Sequence, residues 1–362
     1  MQEELHDGAL SFCLNIGPIA LEVTAHGGHL TAGFDLGERV VRPYAPALWQ
    51  PDEISGDFPV LLTHLRGDFF CLPFGPQREG VPHGETANGV WVQDDSEEGE
   101  LRLSMRTGDT DCRVTKSIQT VENHRALYLS HIIEGLKGKW SYGSHPILDF
   151  SNLKDGEGRV STSAFRWGST YHGVFANPAD KEYQSLRSGT LFDSLSDVEM
   201  IDGRKADLTR YPARKGFEDL VMIVSEQGDA PFAWTACVLD GYVWFSLKKE
   251  RDFPATLFWI SNGGRHSEPW NGRHLKRLGL EEVCSYFCDD VEDSRRDLLE
   301  SKRIPTTREF DGSPVTLKLI QAVSAVPERF DIVTEILPKE GGVELVSQSG
   351  VRVDVPLEWE FL

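Results

Sequence analysis

Polar and apolar side chains alternate in short runs along most of this chain, a period of two that predicts β-strands. Residues 101–105, 126–133, 242–247 and 256–260 are rich in the aromatic and branched side chains that suit a pleated surface. Between such runs fall Gly27-Gly28, Pro73-Phe74-Gly75-Pro76 and Asn262-Gly263-Gly264, the residues that turns require. Near the end, residues 343–345 and 351–355 flank Ser347-Gln348-Ser349-Gly350, after which Leu357, Trp359 and Phe361 alternate with glutamates. That pattern predicts a hairpin followed by one more strand. Helix is scarce; one surface helix is expected over 289–303, with acids at its start and Lys302-Arg303 at its end, as the helix dipole favours.

No fixed-period repeat, low-complexity tract or long linker interrupts the strand signals. One all-β domain over residues 1–362 is therefore expected, a length that large sandwiches reach. The formal charge of −20 argues against a nucleic-acid partner, because such affinity rests on Lys and Arg displacing counterions. A small molecule is the expected partner, and local arginines inside an acidic protein can still hold an anionic group. No apolar run is long enough to span a bilayer, and the opening Met-Gln-Glu-Glu-Leu-His-Asp is not a basic secretory leader, so a cytoplasmic location is expected. Whether the chain is a monomer or a homodimer stays open. The six cysteines form no CxxC pair; Cys284 and Cys288 would need outside ligands to hold a metal, and no metal is assigned.

Three segments are richer in chemically active side chains than strands and turns need. Residues 65–91 gather Arg66, Asp68, Arg78, His83, Glu85, Asn88 and Trp91 among glycines and prolines, a loop composition that commonly carries function. In residues 142–150, His145 precedes Pro146 and is thereby held extended, which suits a side chain projecting from a strand end. Residues 268–284 hold Trp270, Arg273 and His274, then Leu280-Glu281-Glu282-Val283, where carboxylates interrupt an apolar strand and must find a partner or a use. Taken singly, each has an ordinary structural reading: a satisfied histidine, a paired carboxylate, a packed tryptophan. His29, His64 and His124 read as structural, and Trp91 as core.

The ordered set His83-Gly84…Trp91, His145-Pro146 and Leu278-Gly279-Leu280-Glu281, with Val23-Thr-Ala-His-Gly-Gly-His-Leu30 as an early strand and turn, resembles the aldose 1-epimerase (galactose mutarotase-like) superfamily over nearly the whole chain. The resemblance implies a large antiparallel β-sandwich with a sugar cleft and a reaction without cofactor that interconverts sugar anomers. Such exchange removes the proton of the C1 hydroxyl while the ring oxygen gains one, so an acid and a base must flank C1. The resemblance assigns His145 as acid and Glu281 as base; it places His83 and Arg66 on the sugar and an acidic residue in 216–223, Glu218 or Asp219, with Asp219 preferred. Trp270 is a candidate to stack on a pyranose, and Arg273 or Arg265 to pair with an acidic or phosphorylated sugar.

The chain departs from the family pattern at Ile147-Leu148-Asp149, where an aromatic and then Asn are usual, and at Glu282, where proline is common. These departures leave open a hexose-6-phosphate 1-epimerase, a sugar-binding protein without turnover, or another carbohydrate enzyme on the same sandwich.

Overall fold

Strands of alternating sequence satisfy their backbone N–H and C=O groups only by pairing, and here they pair antiparallel throughout two large sheets. The computed structural model describes residues 3–362. One sheet has nine strands, centred on Tyr242–Lys248, Val315–Ala325 and Ala126–Glu134. The other has eight and runs through Phe165–Thr170, Phe217–Ser225, Ala255–Asn262, Arg277–Cys284, Tyr142–Ser144 and Phe70–Cys71. A five-stranded sheet at the N-terminus and a three-stranded meander, Val333–Lys339 to Arg352–Pro356, complete the all-β architecture.

The two large sheets share a core: Val114, Leu127, Trp244 and Val323 from one pack in a single cluster with Val221, Ile223, Phe258 and Leu280 from the other. Both sheets are also covered on their outer faces. Val243, Phe245 and Leu247 turn outward beneath Ile336, Val343 and Leu345 of the C-terminal meander. On the eight-stranded sheet, Leu220, Met222, Leu257 and Trp259 turn outward into a cluster completed by Phe69, Trp49 and Trp270 from loops. Strands buried on both faces read as nearly continuous apolar runs, which explains residues 217–225 and 255–262. The four strands expected at 101–105, 126–133, 242–247 and 256–260 all form, each slightly longer than its sequence run.

Two local expectations change. The C-terminal hairpin pairs Gly342–Ser347 with Arg352–Pro356, but its third strand is the preceding Val333–Lys339, and Trp359–Phe361 is a 3-10 turn. Leu357 is fully buried there, so the apolar alternation reflects a tail draped over the outer core. The 289–303 helix is only Val291–Arg295, capped by the Asp290 carboxylate, then a 3-10 turn at Glu300–Lys302. Between them Asp297 takes φ 50°, a left-handed conformation that no helix continues through.

Candidate functional site

Alternation along Arg277–Cys284 fixes what each of its carboxylates can do. Leu278, Leu280 and Cys284 face the inter-sheet core, so Gly279, Glu281 and Val283 face outward toward the loop-covered side. Across the ladder Glu281 is paired with Leu257, an outward residue, and Glu282 with Thr256. His145 arrives beside Glu281 by register: Ser144 pairs with Glu282 and Ile147 with Gly279, and His145-Pro146 bridges these two short pairings to the same strand. The backbone N–H of His145 donates to Phe69 O at 3.0 Å, and that of Leu280 to Pro146 O at 3.0 Å, which pins the segment from both sides. Gly279 has a steric duty here, since a Cβ at this position would lie 2.5 Å from Glu281 Oε1.

His145 Nε2 and Glu281 Oε1 are 3.2 Å apart, and both side chains are almost wholly buried. The His145 ring is stacked on Phe69 at 4.5 Å, with Trp259 edge-on at 5.7 Å and His83 at 5.2 Å. Burial pushes the Glu281 carboxyl well above its ordinary range, and burial together with the neighbouring His83 pushes His145 well below its own. Both shifts favour the neutral forms, a carboxylic acid against a neutral imidazole. The ligand-free cleft thus disfavours a cationic His145 facing an ionised Glu281. His83 is pushed down to about 3 by burial. Its Nδ1 accepts from the Gly75 N–H at 3.3 Å, so the ring proton belongs on Nε2. His83 is thus a neutral donor.

These residues line one cavity of about 430 Å³. Its walls are largely apolar, from Leu61, Leu65, Phe69, Leu220, Phe175, Trp259 and Trp270, and its polar members are His83, His145, Glu281, Tyr171, Glu182 and Arg265. Trp270 packs edge-on against Trp49 and Trp259 and also lines the cavity. Behind the wall, the fully buried Glu218 accepts from Trp259 Nε1 at 3.0 Å, Ser261 Oγ at 2.7 Å and the Gly264 N–H at 3.2 Å.

Three other candidates lie elsewhere. Arg66 is buried with its guanidinium donating to the carbonyls of His64, His6 and Asp7 at 3.3, 3.2 and 3.1 Å, and it lines a different cavity of about 550 Å³ beside the N-terminal sheet. Three of its donors tie the N-terminal hairpin down, and the side chain does not line the His145 cavity. Asp219 faces the opposite side of its strand from Glu218. It accepts from the N–H groups of Ser185 and Leu186, both at 2.8 Å, and from Ser185 Oγ at 2.5 Å, clasping a loop. Of the two acids in that strand, Glu218 is the one behind the cleft. Arg273 is half-exposed over the Trp49 ring at 5.4 Å, with Glu53 at 3.9 Å, outside the cavity lining. Arg265 lines it instead, and sequence gave no reason to choose between the two.

Buried polar groups hold the strands that carry His145 and Glu281 in place. Asp68 accepts from Ser144 Oγ at 2.8 Å and Gln321 Nε2 at 2.7 Å, fixing the residue before His145. Lys248 and Glu282 form a buried ion pair of 2.5 Å, with Thr256 and Thr235 completing the carboxylate's hydrogen bonds. Among the described residues, the His/Cys/acid group close enough to share a metal ion is Glu4, His6 and Cys13, on the N-terminal sheet and away from this cavity. No helix among the described residues is long and apolar enough to cross a membrane.

No family model and no curated protein sequence matches the chain. Solved structures do. A provisionally named aldose 1-epimerase from Escherichia coli K12 superposes with a TM-score of 0.58 at 14% identity, covering 87% of this chain and 99% of its own. A galactose mutarotase-like protein from Clostridium acetobutylicum gives 0.58 at 11% identity over 90% and 98% of the two chains. Another from Lactobacillus casei ATCC 334 gives 0.57 at 12% identity over 87% and 100%. At these identities the likeness is one of fold.

Proposed function

We propose that this chain, which carries the galactose mutarotase-like β-sandwich, interconverts the anomers of a sugar held in the His145 cavity. The observation that carries the reading is the His145–Glu281 contact of 3.2 Å inside a cavity that also holds His83. A histidine beside a carboxyl group supplies one group able to give a proton and one able to take it, which is what ring opening requires. The base takes the proton of the C1 hydroxyl, the C1–O5 bond breaks as the C1=O bond forms, and the acid delivers its proton to O5. Rotation about C1–C2 presents the other face of the aldehyde, and the same two groups, their roles exchanged, close the ring. His145 and Glu281 fill these two roles. His83 Nε2 donates a hydrogen bond to the sugar, and the aromatic walls keep competing water away.

Anomer exchange is measured by NMR exchange spectroscopy or polarimetry on freshly dissolved α-sugars. Protein is expected to speed equilibration of at least one sugar, and His145→Gln and Glu281→Gln each to slow it by about 10²- to 10⁴-fold. Equilibration no faster with protein than without, across neutral sugars, 6-phosphates and uronic acids, ends the reading. Full turnover in both folded variants would leave the activity but remove this pair from it.

A further inference from the structure

Arg265 is the one lysine or arginine among the residues lining the cavity. Its guanidinium carbon sits 5.1 Å from the centre of the Trp270 ring, 5.4 Å from Phe175 and 5.5 Å from Trp259. Three ring faces hold the cation in place by cation–π attraction and shield it in part from water. Among the described residues its one ion pair is a loose one, Nε to Glu182 Oε1 at 3.4 Å, and that Nε is buried without a hydrogen bond. A guanidinium carries five N–H donors in a planar fork. Among the described residues this side chain spends none of them on a protein acceptor, in contrast to Arg66, which spends three. A fixed, shielded cation with unused donors facing a cavity is built to receive an anion.

We infer that the cleft selects sugars that carry a carboxylate, with Arg265 reading that group; the inference rests on the proposed anomer exchange and names its substrate class. The charge balance distinguishes a carboxylate from a phosphate. Glu182 lines the same cavity and Glu218 stands behind it, close enough for its charge to be felt by Arg265. A phosphate monoester carries about −1.5 to −2 at neutral pH and would meet one guanidinium beside an acid. A carboxylate brings a single negative charge and matches the planar fork with two parallel hydrogen bonds. His145 and Arg265 line the same cavity and lie 5.7 and 5.5 Å from the Trp259 ring, so both face a sugar held there.

The test compares D-galacturonate and D-glucuronate with galactose, glucose and glucose 6-phosphate by NMR exchange, using the wild type and Arg265→Met, which keeps bulk between the aromatic rings. The wild type is expected to prefer the uronates over their neutral parents by about tenfold or more in kcat/KM, and R265M to lower that ratio by about 10- to 100-fold. Neutral sugars turned over as well as uronates, a ratio unmoved by R265M, or a preference for the 6-phosphate would each overturn the inference. If R265M does not fold, Glu182→Gln decides, since removing the competing acid is expected to raise the uronate preference and an unchanged or lower preference overturns it. If no sugar is turned over, the proposed activity fails and the charge reading is decided by calorimetric titration with galacturonate. Uronate binding that E182Q strengthens and R265M abolishes upholds it; no binding to the wild type sinks it.

Discussion

Replacing Glu218 by glutamine should flatten the dependence of stability on pH. Glu218 is wholly buried behind Trp259, and burial raises its carboxyl from 4.5 to about 7, against the opposing effects of Arg265 and the donors Ser261, Gly264 and Trp259. The unfolded chain releases this proton near 4.5, whereas the folded chain keeps it to about 7. Folding therefore binds a proton in that window. The contribution is fully present below about 4.5 and is lost as pH rises through about 7, after which it changes no further. At 1.36 kcal/mol per pKa unit, the shift amounts to about 3 kcal/mol of stability lost across the window. The Glu218→Gln variant has no proton to lose. It should start lower, because an amide NH₂ now meets some of the donors that the carboxyl oxygens accepted, costing about 1–3 kcal/mol at every pH. Urea unfolding followed by tryptophan fluorescence between pH 5 and pH 8 measures both effects. The wild-type free energy should fall toward that of the variant as pH rises. Parallel curves would refute the reasoning, since they would mean that Glu218 is ionised in the fold at the same pH as in the unfolded chain.

Arg66→Met should lower the unfolding free energy by about 2–3 kcal/mol through the loss of three carbonyl contacts, with anomer exchange unchanged; a selective loss of sugar affinity would return Arg66 to the cleft. Asp219→Ala strips the acceptor from Ser185 and Leu186, so limited proteolysis should cut near that loop faster than in the wild type, and stability should drop by about 2 kcal/mol. Lys248→Met leaves the Glu282 carboxylate buried and unpaired and should destabilise by about 3–5 kcal/mol, while Lys248→Met with Glu282→Leu should recover most of it in the same denaturation assay.

The β architecture was legible because a two-residue period survives wherever one face of a strand meets polar surroundings, and because turn residues mark the ends. The alternation at 357–361 misled, since side chains of a terminal tail also alternate between an apolar surface and water. His145 and Glu281 were legible as an ordered pair of short strings, and register explains why they meet: residues 144 and 282, then 147 and 279, are ladder partners, so 145 and 281 fall opposite each other. Arg66 and Asp219 were misplaced for one reason. Sequence offers a charged side chain near the right strand but says nothing of which face it takes or which backbone groups already claim it. Glu218 and Asp219 differ by a single position, and that single position separates the back of the cleft from a loop clasp. Arg265 could not be preferred over Arg273 from sequence, because the three rings around it come from residues 175, 259 and 270, which only the fold assembles.

The adjacent carboxylates Glu281 and Glu282 serve as a proofreading device for the sheet. A slip of the Arg277–Cys284 strand that set Val283 opposite Thr256 would carry Glu282 out to the aromatic side, strand Lys248 in the interior without its counter-charge, and turn Glu281 into the core. That misalignment incurs the burial of an unmatched ion. The interior pair therefore penalises this slip, and in doing so it favours Glu281 over Glu282 at the cavity.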